Sequence, residues 1–347
     1  MARRDSDLPE PPVAPVRGRS RARVWTVAVA IVVAAAAYVV PLPGYFGLVP
    51  GPVRDVEDLV EVTGARTYSS EGSLFLTTVR IDPNVTFFDA VAYGVDPTKS
   101  VVPRDAVTGG QSGDAFDRRQ EAEMAASQRA AELVALSAAG LAEPAGDSVG
   151  VAGTLPGTGG ARVLEEGDEI VSFDGRRVTS NCELTTAVQR RSPGDRVEVV
   201  VRRDGGTERF DVALGTDPRG GGGPILGVVM QPSDMDVEGD LEVGFDIGEI
   251  GGPSAGLVFA LTLYDRVTPD DLTGGRAVAG TGTITECGDV GEIGSIESKV
   301  AGAEARGAEL FLAPASQAAA ARAVADDIEV VPVETFEDAV RHLQDRA

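Results

Sequence analysis

Thirty consecutive residues, from Val24 to Val53, carry no charge, and no other feature constrains the fold of this chain as strongly. The core of the run, Val24-Trp25-Thr26-Val27 through Ala37-Tyr38-Val39-Val40, is strongly apolar. A helix needs about 20 such residues to cross the hydrocarbon layer, and the run supplies them if it extends to Leu42 or a little beyond. Trp25 and Tyr38 stand near its ends, where amphipathic rings favour the interface. Arg3, Arg4, Arg17, Arg19, Arg21 and Arg23 precede it against three acids, and the first charge after it is Arg54. The asymmetry predicts a retained transmembrane helix over residues 24–43, in contact with the lipid bilayer, with the N-terminus cytoplasmic and the rest of the chain extracytoplasmic. Residues 1–23, rich in Pro and Arg, read as a disordered cytoplasmic tail. The competing reading is a cleaved signal peptide, with Ala35-Ala36-Ala37 as its processing site.

Composition excludes several classes. Acids outnumber bases 54 to 31, for a net charge of -23, so nucleic acid is not an expected partner. Two cysteines, Cys182 and Cys287, cannot build a disulfide scaffold or a zinc knuckle. They could form one bridge, although they fall in different domains of the organisation set out below, which disfavours a pair. His342 is the single histidine, which excludes a His cluster and a Ser-His-Asp triad placed elsewhere. No metal and no cofactor is expected. Lys99 and Lys299 are the only lysines, which leaves 29 arginines among the 31 bases. A lysine can give up its proton where an arginine cannot, so these two positions are candidates for proton transfer.

Beyond the run, Gly72 to Ile81 has strand composition, and a helix is predicted from about Asp117 to Ala139 with Met124, Ala131, Val134 and Leu141 on one face. Arg219-Gly220-Gly221-Gly222-Gly223-Pro224 is a linker. Between Gly150 and Leu214 lies a compact β-rich pattern with a turn at Asp204-Gly205-Gly206 and a short helix carrying Leu184 and Val188. Within it, Leu164, Gly167, Asp168, Ile170, Asp174 and Gly175 occupy every fixed position of L-x-x-G-D-x-I-x-x-x-(D/N)-G. The module resembles the PDZ domains of bacterial proteases. That resemblance implies binding of extended peptides by strand addition to a sheet edge. Any small β-domain with a Gly-Asp turn is the plainer reading.

Two segments carry chemistry. In Gly251-Gly252-Pro253-Ser254-Ala255-Gly256, an elbow runs into an apolar helix and places Ser254 at its start, where unpaired backbone amides can stabilise an oxyanion. Taken alone, Ser254 also reads as an ordinary N-cap. Downstream comes Thr281-Gly282, then Gly291-Glu292-Ile293-Gly294-Ser295-Ile296-Glu297-Ser298-Lys299. On a helix starting near Ser295, Lys299 lies one turn after Ile296 and one before Ala303, at the border of the apolar face. A partly desolvated lysine can act as a general base; a solvated helix lysine is the alternative.

Together the two segments resemble the proteolytic domain of the Lon family, whose Ser–Lys dyad sits in G-P-S-A-G and in T-G…G-x-(I/V)-G-x-(I/L)-x-x-K. The combination of anchor, PDZ module and this domain is similar to the membrane-anchored PDZ–Lon proteases of bacteria. The resemblance implies that Ser254 is the nucleophile, Lys299 its base and Thr281 the hydroxyl that orients the lysine, with Gly252, Pro253 and Ala255 forming the elbow and oxyanion site. It also implies protein or peptide substrates recruited through the PDZ domain, and a homo-oligomer. Gly251 stands where ATP-dependent relatives usually carry Asp, and Thr283 where they carry Glu. No G-x-x-x-x-G-K-(S/T) loop occurs, so the activity implied is an ATP-independent serine endopeptidase. A membrane-anchored scaffold or chaperone with an inactive protease-like domain is the rival reading.

The fold class expected is α+β: one transmembrane helix, a Lon-type proteolytic domain and a small β-rich PDZ domain inserted in it. Residues 44–140 are its first segment, 141–216 the PDZ domain and 217–347 the part carrying the dyad.

Overall fold

The computed structural model describes residues 21–218, 222–237, 239–248 and 250–345. The expected tail therefore lies outside the described residues as far as residue 20, as do residues 219–221 of the glycine linker. Helix α1 (Arg21–Val39) covers the apolar run but stops before residue 43. Pro41 and Pro43 end it, because a proline ring clashes with the preceding turn and has no amide to donate. Pro41 instead bridges to Thr86, and the Leu42 amide donates to Val85 O at 2.7 Å. Among the described residues no helix is long and apolar enough to cross a membrane.

Strands β1 (Tyr45–Asp55) and β2 (Ser73–Asp82) pair antiparallel, with a bulge between Pro50 and Val53. Helix α2 (Phe87–Val95) follows, started by a reciprocal cap between Thr86 and Asp89, and strand β3 (Ser100–Pro103) pairs with β1. Helix α3 (Gly113–Ala138) begins four residues before the expected start and buries Met124, Ser127, Ala131 and Val134 on one stripe.

The β-rich module comprises β4 (Val149–Thr154), β5 (Glu169–Phe173), α4 (Asn181–Gln189), β6 (Arg196–Arg203), β7 (Gly206–Ala213) and β8 (Val228–Met230). Its antiparallel sheet has the order β7-β6-β5-β4-β8. In the β6–β7 hairpin, Arg203 pairs with Gly206 across Asp204 and Gly205, both at positive φ, the two-residue turn whose twist suits antiparallel strands. The core of the module, built around Ile170, Phe173, Leu184 and Val199, belongs to it alone. Asp168, 1% exposed, accepts two hydrogen bonds from Arg203, at 2.6 and 2.7 Å, and one from the Glu165 amide at 2.9 Å. The fixed Asp of the signature is therefore a structural pin.

After the module come α5 (Gly256–Val267), β9 (Ala277–Gly280), α6 (Ile296–Arg306), β10 (Leu310–Pro314), β11 (Glu329–Val333) and α7 (Phe336–Gln344). One six-stranded sheet has the order β11-β10-β9-β2-β1-β3. Its β2 lies parallel to β9, so segments from both sides of the module share it. Ala142–Ala145 and Asp234–Val237, which lead into and out of the module, pair with each other. Helix α5 is apolar over its first turns and is accordingly enclosed, with Leu257, Phe259, Leu261 and Leu263 fully buried in a core shared with α3 and the sheet.

Cys182 and Cys287 take the disfavoured of the two alternatives: they form a disulfide, with a Cα–Cα distance of 5.1 Å. They lie on different modules, yet α4 packs against the turn between Thr283–Ile284 and Val290–Gly291, and the two meet there. Asn181 Nδ2 and Ser233 Oγ each donate to Glu286 Oε2 at 2.8 Å across the same seam.

Candidate active site

The elbow is shaped by its glycines. Gly252 has φ +86°, a conformation strained for other residues, and a Cβ there would meet Gln120 Nε2 at 3.0 Å. A Cβ on Gly256 would lie 2.6 Å from Ser127 Oγ and 2.8 Å from Ile284 Cγ2, so only glycine lets α5 start this close to α3 and the Thr283–Ile284 segment. Between them, Pro253–Ala255 forms a single 3-10 turn, pinned by Ser127 Oγ donating to Pro253 O at 3.0 Å. Ser254 makes no side-chain cap to the helix. Its hydroxyl points to Lys299.

The partner segment is held by the sheet. The Thr281 amide donates to Leu312 O at 3.1 Å, and the Gly282 amide and Thr281 Oγ1 donate to Ser254 O at 3.0 and 3.1 Å. Helix α6 begins after Ser295, at φ 55°, and carries Lys299 into the interior one turn later. Lys299 is 3% exposed, and its Nζ donates to Ser254 Oγ at 2.7 Å and to Thr281 Oγ1 at 2.9 Å. Among the described residues no carboxylate pairs with it. Burial therefore pushes its pKa from 10.5 down to about 7, since a charge removed from water without a counter-ion favours losing its proton. A hydroxyl and a half-neutral amine in contact can exchange a proton near neutral pH, the match that general-base catalysis needs.

Ser254 lines a cleft of about 800 Å³ together with Gly252, Pro253, Ala255 and Lys299. The structure thus brings together the sequence-predicted Ser254, Lys299 and Thr281, with the elbow residues beside them. His342 sits on α7 and does not line the cleft. Lys99 pairs with Asp96 at 2.8 Å and does not line the cleft. Sequence reasoning missed Gln120 and Ser127, which support the elbow from α3, and the cleft-lining Arg54, Arg80 and Arg119. For the first two a signal existed: they lie at helical spacing from Met124 and Ala131, as polar interruptions of a buried stripe. Among the described residues no group of three or more His, Cys, Asp or Glu side chains can hold a metal ion.

Fold and site together describe an α+β domain with a buried amine–hydroxyl pair in a cleft, joined to a small β-rich module. More particularly, residues 243–345 match the Lon protease (S16) C-terminal proteolytic domain and residues 157–214 match the PDZ domain, so the chain combines a Lon-type proteolytic domain with a PDZ domain. The chain matches no curated protein. Similar solved structures include the PDZ domain of an SdrC-like protein from Listeria monocytogenes, 26% identical over 25% of this chain and 92% of that one, with a TM-score of 0.24. Another is a solution structure from Geobacillus thermodenitrificans, 30% identical over 24% of this chain and 95% of that one, with a TM-score of 0.22.

Proposed function

We propose that this protein is a membrane-anchored, ATP-independent serine endopeptidase that cleaves extracytoplasmic protein segments by a Ser254–Lys299 dyad. The observation that carries the reading is the buried Lys299 amine, 2.7 Å from Ser254 Oγ and without an acid to hold its proton. Neutral Lys299 takes the Ser254 proton as Oγ attacks a peptide carbonyl, and returns it to the leaving amine. Thr281 keeps the amine aimed at Oγ. Water then repeats the sequence on the acyl-enzyme. The elbow amides around Ser254 serve the oxyanion.

The shared sheet and the paired segments Ala142–Ala145 and Asp234–Val237 support one protease domain, residues 44–140 with 217–347, interrupted by the PDZ module. Peptide recruitment falls to that module. Three observations support attachment outside the cytoplasm. Helix α1 is uncharged from Val24 onward, and its large apolar side chains are exposed around its circumference. Its 19 residues reach about 28 Å, close to the hydrocarbon thickness of about 30 Å, and a slightly short span is met by thinning and snorkelling. A disulfide across the two modules suits an oxidising compartment. Within these 347 residues no phosphate-binding loop supports use of ATP.

The test is labelling of Ser254 by a fluorophosphonate, with casein digestion beside it. Wild type reacts without ATP or metal; Ser254→Ala and Lys299→Arg do not, although Lys299→Arg keeps the charge, because guanidinium stays protonated. Substantial peptidase activity in Lys299→Arg overturns the dyad. Added protease should degrade residues 44–347 on intact cells that lack an outer barrier, and protection of that region overturns the topology.

A further inference from the structure

We propose that α2 is a membrane-surface helix, which inserts the face formed by Phe87, Phe88, Val91, Ala92 and Val95 into the lipid headgroup region. The inference rests on the anchor reading of α1 and extends it to the folded domain. Those five residues fall at i, i+1, i+4, i+5 and i+8, one side of a helix, and all are exposed, Val95 to 82%. No charge lies on that side. The opposite side is fixed to the sheet: Tyr93 packs over Gly47, where a Cβ would come within 2.8 Å of its ring, and Thr86 and Asp89 cap each other. The apolar side is therefore held outward by design of the other one. Large contiguous apolar surface on a folded domain marks a binding face.

What covers it follows from continuity. The Leu42–Val85 hydrogen bond and the Pro41–Thr86 bridge tie the end of α1 to the start of α2, and the Tyr38 and Phe88 rings lie 5.9 Å apart. Where α1 leaves the bilayer, α2 must therefore lie at its surface, and aromatic rings at that level suit the interface. A second copy is a poor occupant. A nine-residue helix is about 14 Å long, and one side of it falls far short of the roughly 800 Å² per partner that a specific interface buries.

The test uses Trp25, the only tryptophan of the chain, as its internal control. Full-length wild type, Trp25→Phe with Phe88→Trp, and Trp25→Phe with Val95→Trp are reconstituted into phosphatidylcholine vesicles carrying acyl chains brominated at shallow or deep positions. At an insertion depth of about 5–10 Å, the tryptophans at 88 and 95 should be quenched about twofold, more by shallow than by deep bromine. Both sites are exposed, so all three proteins should melt together. Quenching at 25 without quenching at 88 and 95 overturns this proposal and leaves the anchor standing. Quenching at 88 and 95 without quenching at 25 supports it and overturns the anchor instead. A blue-shifted but unquenched tryptophan at 88 and 95 means that protein covers the face, and also overturns it.

Discussion

Each of the two modules buries a charge-bearing side chain, and they treat it in opposite ways. In the PDZ module, Asp168 receives two hydrogen bonds from Arg203 and one backbone amide, and the Arg203 bonds hold its carboxyl below the usual carboxylate range. In the proteolytic domain, Lys299 receives only two hydroxyls and loses about three orders of magnitude in proton affinity to burial. A buried charge with its counter-ion is architecture; one without it is a reagent. Asp168 keeps its charge and fixes a turn, while Lys299 gives its charge up and becomes a base.

The sharpest way to break this contrast is Lys299→Met, which keeps length and removes the amine. Ser254 labelling should fall about 10³-fold or more, within the range set by loss of a general base. Stability should move the other way. Folded Lys299 has a lowered pKa, so between about 7 and 10.5 the unfolded chain binds more protons and stability rises with pH; at pH 7 and below the burial penalty is fully felt. The Met variant should therefore melt above wild type at pH 7, with the gap closing towards pH 10.5. Asp168→Asn is the counterpart. It leaves Arg203 with the Val163 carbonyl and the longer contacts to Glu165 and Glu208, at 3.7 and 3.6 Å, and should cost the module about 3 kcal/mol, read by denaturant unfolding, with Ser254 labelling of the folded protein unchanged. In wild type this contribution is present above the ordinary Asp value of about 4 and is lost as pH falls through the depressed one. The two buried groups thus act in separate pH windows. Reducing the Cys182–Cys287 disulfide, which closes a 105-residue separation, should lower stability by about 3 kcal/mol, seen as an earlier melt. The smallest effect is expected of Thr281→Ala, about tenfold in labelling rate, or about 1.4 kcal/mol, because orientation is lost and the base remains.

Lysine scarcity and a position bordering an apolar face mark Lys299, and Gly-Gly-Pro before an apolar run marks Ser254, but each alone also reads as an ordinary helix lysine or N-cap; only the two segments together, through their resemblance to the Lon-type motifs, made the pair legible. The PDZ signature likewise marks Asp168, although its partner Arg203 lies 35 residues away on another strand. What local pattern does not encode is contact between modules. Cys182 and Cys287 meet only because α4 docks on a turn 105 residues downstream, and nothing in either neighbourhood signals it. Gln120 and Ser127 were hidden for a related reason: a polar residue on a buried stripe shows that something needs it, without showing what. The end of α1 was legible in Pro41 and Pro43, and hydropathy alone carried the expected span past the first to the second. The apolar residues of α2 were plain in the sequence, but which side they occupy depends on the anchoring of Tyr93 over Gly47.

Burial without an acid leaves Lys299 at least half neutral at physiological pH and able to act as a base. The rate of Ser254 acylation by a fluorophosphonate, followed from pH 5 to pH 11 in the full-length protein, reads this out. The rate should rise with a midpoint at about pH 7 and level off above it, as Lys299 loses its proton. A midpoint near 10.5, or a rate that Lys299→Met leaves unchanged, would contradict it.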